Sequence, residues 1–221
     1  MSMILYRLIE KYPEKIEDWE NISKTLVITL EFFKRNSDRP WSWWHLSRNE
    51  SITIEIIENF PDKPWDYRMI SYIDGLTLRF IKEHPDKEWD WETISQNDGI
   101  TMDDIEANLD YEWYYYDGVS TNPNLTMEFI ENHPDYLWNW DYISMNSGMT
   151  METIEKNIDK LWSWKYISGN PNLTFEFIEK YPDDPLKGRK WHWSFIIYNE
   201  FENDPWLTKK HNKNAAIKNQ Y

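Results

Sequence analysis

The chain has 221 residues, with 24 Lys and Arg against 39 Asp and Glu, a formal charge of −15 and 15 Trp within a 17% aromatic content. It has no Cys, which excludes disulfides, thiolate metal sites and a cysteine nucleophile. The aromatic content excludes a disordered chain, and an acidic body repels phosphate backbones, so general nucleic-acid binding is not expected.

In chain order, the sequence opens on a partial copy of a repeated unit over residues 1–16, where Ile9, Glu10, Pro13 and Glu14 match the unit's second half. Full copies follow over residues 17–190. Anchor tryptophans stand at Trp41, Trp65, Trp89, Trp113, Trp138 and Trp162, spaced by 24 or 25 residues. Trp191 follows after 29, the excess lying in the basic insert around Lys187, Gly188, Arg189 and Lys190. It opens a capping half-repeat over 191–203, and residues 204–221 read as a polar, basic tail. Two residues after each anchor stands a second ring: Trp43, Tyr67, Trp91, Tyr115, Trp140, Trp164 and Trp193.

Further columns keep this register. Thr recurs at Thr29, Thr53, Thr77, Thr101, Thr126, Thr150 and Thr174, and Asp follows each at nine residues, from Asp38 to Asp183. Ser recurs at Ser23, Ser47, Ser71, Ser95, Ser120, Ser144 and Ser168. Self-similarity at such a period is the signature of a repeat architecture.

The punctuation predicts two short helices per unit. Thr precedes an apolar segment with acids in its first turn, as an N-cap does. In the copy at Thr126, Met127 and Ile130 share one face, Pro134 stops the helix, and Asp135 is expected to cap the next. That second helix is expected to carry Trp138, Trp140, Ile143 and Ser144. Asn146 and Gly148 are residue types that accept a left-handed helix end. On a helix, Trp138 and Trp140 would point about 200° apart, so burying both requires neighbours on more than one side. The alternation W-x-W also fits a strand, but Pro and Asn bracket each segment and the continuation W-x-x-I returns at helical spacing. The expected fold is therefore all-α: an α-solenoid of about seven 24-residue two-helix repeats, forming one array over 1–203. Helices of about two turns are too short to stand alone, so stacking must stabilise them.

The motif W-x-W-x-x-I-S-x-N-P-N-L-T-x-E-x-I-E, clearest over Trp162–Glu179, resembles tryptophan-rich repeat proteins encoded by giant DNA viruses of amoebae. The resemblance covers about residues 5–203 and implies a viral protein. The unit is also similar, more distantly, to the leucine-rich repeat variant, which pairs an α-helix with a 3₁₀-helix. That similarity implies that one of the two helices here can be 3₁₀.

Catalytic motifs are absent from the sequence. His84 and His133 share a column two units apart, and His45, His192 and His211 fall elsewhere. No metalloprotease, phosphate-loop, dinucleotide or nucleophile-elbow pattern occurs. The serine column has no companion histidine, and Asp103-Asp104 is the one paired carboxylate inside a helix; no enzyme activity, cofactor or metal is expected. No run of apolar residues reaches the length of a membrane span, and the first residues lack a signal pattern. An intracellular, soluble protein without membrane contact follows as an expectation.

Three surfaces remain as candidate partner sites. One column varies while its neighbours recur, reading Trp44, Arg68, Glu92, Tyr116, Asp141 and Lys165. A ridge of acids is expected along one side: Glu55, Glu58, Asp103, Glu106, Glu128, Glu131, Glu152, Glu155, Glu176 and Glu179. The basic end offers Lys187, Arg189, Lys190, Lys209 and Lys210. The expected function is a non-enzymatic scaffold for a protein partner. The alternative is a nucleic-acid-associated or DNA-mimic protein acting through the basic end or the ridge.

Overall fold

The computed structural model describes residues 3–201 and 204. Among them every regular element is helical, and the one strand-like pairing is an isolated antiparallel bridge between Asp184 and Arg189. The expected all-α, solenoid-like repetition of short helices is what the chain adopts. It divides into two compact units, Met1–Ile100 and Thr101–Tyr221.

The first unit contains α1 (Met3–Lys11), α2 (Trp19–Thr25), α3 (Leu30–Asn36), α4 (Trp43–Ser47), α5 (Ile54–Asn59), α6 (Tyr67–Ile70), α7 (Leu78–Glu83) and α8 (Trp91–Gln96). The second contains α9 (Met102–Glu106), α10 (Met127–Asn132), α11 (Trp140–Met145), α12 (Met151–Lys156), α13 (Trp164–Ile167), α14 (Phe175–Lys180) and α15 (Trp193–Ile196). In one repeat of the second unit the second helix is a 3₁₀ turn, Val119–Thr121.

The threonines start the first helix of each repeat as their spacing predicts. Thr29, Thr53, Thr77, Thr101, Thr126, Thr150 and Thr174 each accept a hydrogen bond from the backbone N–H three residues on. At Thr101 the Asp104 side chain returns the bond, completing a capping box. The helices bury one face, such as Ile56 and Ile57 on α5, Phe80 and Ile81 on α7, and Phe129 and Ile130 on α10.

What ends these helices is the anchor ring. The indole N–H of Trp41, Trp65, Trp89, Trp113, Trp138 and Trp162 donates to the carbonyl five residues back, on Asn36, Phe60, His84, Asn108, His133 and Asn157, at 2.6–3.0 Å. Each ring thus satisfies a carbonyl that the helix end leaves without an intrahelical partner. Trp191 makes the same bond to Tyr181 across the longer insert.

The start of the second helix corrects the sequence reading. Asp38, Asp62, Asp86, Asp110, Asp135, Asp159 and Asp183 do not cap it; all seven are exposed before the anchor ring. The helix begins only at the second ring, and the residue between the two rings is its N-cap. Asp66, Asp90 and Asn139 accept backbone N–H groups there, and Ser42 and Ser163 occupy the same position. Trp138 therefore precedes α11 rather than lying on it. The rings of W-x-W diverge because the chain is extended between them, where residues alternate sides.

That alternation builds a ring ladder within each unit. The second ring of one repeat meets the anchor of the next edge to face: Trp43 and Trp65 at 5.1 Å, Tyr67 and Trp89 at 5.1 Å, Trp140 and Trp162 at 5.3 Å, Trp164 and Trp191 at 5.2 Å. Such pairs contribute about 0.5–1.5 kcal/mol beyond area burial.

The ends of the second helices also differ from expectation. Asn146 is extended (φ −66°, ψ 133°) and buried, and among the described glycines only Gly75 and Gly188 have positive φ. Gly148 is small for another reason: a Cβ there would sit 2.3 Å from the Pro123 carbonyl oxygen of the preceding repeat.

Candidate functional site

The recurring serines and asparagines are consumed by internal bonding. Ser23, Ser71, Ser144 and Ser168 are fully buried; each hydroxyl donates to a carbonyl four residues back and accepts a backbone N–H from the next repeat. The asparagines act alongside. Asn146 Nδ2 donates to the Ser120 and Asn122 carbonyls, and its Oδ1 accepts from Gly148 N–H. Asn49 and Asn170 bridge back in the same manner. These serines are clamps between repeats, a role that uses both the donor and an acceptor of the hydroxyl.

The histidines do not converge. His84 Nδ1 donates to the Phe80 carbonyl at 2.9 Å, His45 lies 3.4 Å from Glu20, and His192 bonds Ser194. His133 is half-buried, 2.6 Å from Glu106 of the preceding repeat and stacked on Tyr136 at 4.7 Å. Among the described residues no group of three His, Asp or Glu is placed to hold a metal ion. His211 lies outside the described residues.

The variable column faces solvent throughout: Trp44, Arg68, Glu92, Tyr116, Asp141 and Lys165 are all exposed. Its members meet different surroundings. Arg68 pairs with Glu88 at 3.1 Å and Lys165 lies over the Tyr166 ring at 4.8 Å. Trp44 stands edge-on to His45. Arg48 places its guanidinium 6.0 Å from the Trp44 ring and 5.9 Å from the Tyr72 ring, both about half exposed at 47% and 51%.

Concavities flank this group. One of about 690 Å³ is lined by Lys24, Val27, Trp44, His45, Arg48 and Glu50. A second adjoins it at Arg48 and runs past Tyr72 to Glu55 and Asp74, and a third joins Trp44 to Arg68 and Glu88. Lys24, Arg48 and Tyr72 each follow a column serine, a position the sequence reading passed over. The signal was available: the next copies read Gln96, Thr121, Met145 and Gly169, so cations occupy that position in two consecutive repeats only.

The acidic ridge is only partly bare. Glu131 and Glu155 bridge to Lys160 and Lys180 of the next repeat, Glu106 contacts the His133 ring of the next repeat, and Glu152 pairs with Lys156 on its own helix. Hydrogen bonds from Lys180 and then Tyr181 hold the Glu155 carboxyl below its usual range, and the bond to Glu131 raises Lys160. Glu55, Glu58, Glu128, Glu176 and Glu179 are exposed and enter none of the described ion pairs, as does Asp103.

The basic end is likewise divided. Arg189 is turned inward: it pairs with Asp184 at 3.1 Å and lies over the Trp164 and Tyr181 rings at 5.8 and 5.7 Å. Lys187 and Lys190 are exposed, while Lys209 and Lys210 lie outside the described residues. No helix among the described residues is long and apolar enough to cross a membrane.

In comparison with known proteins, no family model, no curated protein and no solved structure matches this chain.

Proposed function

We propose that the chain is a non-enzymatic scaffold that binds a protein partner through the solvent-facing positions of its repeats. One observation carries this reading. The recurring Thr, Ser and anchor Trp positions are committed to capping, clamping and ring contacts, whereas the position occupied by Trp44, Arg68, Glu92, Tyr116, Asp141 and Lys165 varies and faces solvent. Repeat proteins recognise partners with such positions on a rigid framework. The exposed Trp44, Arg48 and Tyr72 are residue types that dominate protein interfaces. The resemblance to giant-virus repeat proteins supports a viral, intracellular setting for this scaffold.

Nucleic-acid association draws less support. Arg189 is engaged with Asp184 and two rings, and two of the ridge carboxylates are bridged to lysines of neighbouring repeats, which breaks the regular spacing of charge a DNA mimic needs.

Affinity capture from the producing cell, with the intact chain and with a Trp44→Ala/Arg68→Ala variant, tests the scaffold reading. A stoichiometric protein retained by the first and lost by the second is expected. The reading is abandoned if substitution across every exposed column leaves all captured proteins unchanged.

A further inference from the structure

We infer that the groove between Lys24 and Arg48 holds a polyproline-II segment of the partner carrying two carboxylates three residues apart. The inference rests on the scaffold reading and names the chemistry of its ligand.

Charge is the first support. The chain carries 39 acidic groups against 24 basic ones, so its cations are outnumbered, and several in the first unit sit against an acid. Arg35 pairs with Glu10, Lys63 with Asp38, Arg68 with Glu88 and Arg79 with Glu83. Lys24 and Arg48 are exposed, and neither enters an ion pair among the described residues. Both line one groove, in which the only acid is Glu50. Arg48 rests against Trp44 and Tyr72, and a guanidinium held by ring faces keeps its N–H edge free for a carboxylate.

Register is the second support. Lys24 and Arg48 occupy the same position of consecutive repeats, each directly after its clamped serine. Packed helix layers lie about 8–10 Å apart, and one turn of polyproline-II chain, three residues at about 3.1 Å each, spans the same distance with its first and fourth side chains on one face. Carboxylates at positions i and i+3 of such a segment would therefore meet both cations. Val27 and the Trp44 ring, both exposed beside them, would take apolar contact from the intervening residues.

The surface also limits the segment. Past Tyr72 the adjoining concavity is lined by Glu50, Glu55 and Asp74, which repel a third acid. The site thus selects two carboxylates followed by an uncharged or basic residue, rather than a polyanion. Overall negative charge acts against long acidic tracts in the same direction.

The test uses the full chain and a fluorescein-labelled peptide with carboxylates at its first and fourth positions and alanine elsewhere, read by fluorescence anisotropy. Binding is expected to weaken at least about ten-fold in a Lys24→Glu/Arg48→Glu variant, and to fall as salt screens the contacts beyond a Debye length of about 8–10 Å. A peptide with its two carboxylates adjacent, and one with lysines in their place, should bind at least about ten-fold more weakly. Unchanged thermal melting shows that the variant is folded. Binding that ignores carboxylate spacing, survives the charge reversal, or is exceeded by an anionic vesicle or a DNA oligonucleotide at the same residues overturns the inference. Failure of the peptide while Trp44→Ala/Arg68→Ala still abolishes capture of the partner removes this ligand and leaves the scaffold reading standing.

Discussion

The indole N–H of Trp162 donates to the backbone carbonyl of Asn157 at 2.6 Å, so the ring that fills the space between repeats also closes the helix before it. Area burial and hydrogen bonding are coupled in one side chain. Substitution can separate them. Trp162→Phe keeps most of the ring contacts and leaves the carbonyl without its donor, which should cost about 1–3 kcal/mol. Trp162→Ala removes the ring as well and should cost about 3–5 kcal/mol. Urea unfolding of the two variants measures the difference; equal losses would mean that the indole N–H contributes nothing.

Ser144 links two repeats through one hydroxyl, donating to the Trp140 carbonyl at 2.6 Å and accepting from Ser163 N–H at 2.9 Å. Ser144→Ala leaves both backbone groups without that partner and should destabilise by about 1–3 kcal/mol. Hydrogen exchange locates the effect: the Ser163 amide should lose protection, while the capped amide of Phe129 keeps it. No change at Ser163 would remove the clamp from the account.

At Asn146 a substitution of equal size tests the polarity of the bonding. Its Nδ2 faces the Ser120 and Asn122 carbonyls at 3.0 and 2.9 Å. In Asn146→Asp an ionised oxygen would face both acceptors in a buried site, so the charged form is penalised and the introduced carboxyl's pKa rises. A raised folded-state pKa makes the variant least unfavourable in acid and progressively worse as pH climbs past about 4. A loss of at least ~2 kcal/mol near neutrality, shrinking on acidification, is expected from denaturant titrations. A loss independent of pH would contradict this arrangement.

Acid should loosen the junctions that use bridged glutamates. Lys180 and Tyr181 hold Glu155 below its usual 4.5. A folded-state pKa below the unfolded one gives stability that is present above the unfolded value and lost as pH falls through the folded one. Glu155→Gln should therefore show a shallower loss of thermal stability than the parent chain as pH drops below 4.5. Because the pair is exposed, added salt should also shrink the difference.

Period, helical class and the threonine caps are legible in the sequence because each follows from local chemistry: a β-hydroxyl before an apolar run, at one spacing throughout. The second helix start was misplaced because aspartate is suited to both turns and caps, and the seven recurring aspartates drew attention from the residue between the rings. Asp66, Asp90 and Asn139 at that position are themselves good capping residues. The roles of Asn146 and Gly148 were hidden for a different reason. Their partners lie on the preceding repeat, and a left-handed turn and a close backbone approach both call for small or amide residues. The exposure of the variable column was readable from its variability. The partial neutralisation of the glutamates was not, since the pairs of Glu131 with Lys160 and Glu155 with Lys180 reach from one repeat to the next.

The clamps reach 19 residues forward through the serines and 24 or 26 back through the asparagines, so within a unit each repeat answers to its immediate neighbour. Excision or duplication of one whole period would bring equivalent donors and acceptors together again, whereas a change of a few residues would leave them out of step. Length is in that sense a free parameter of this molecule: a gene that gains or loses a complete unit inherits working joints without any compensating substitution.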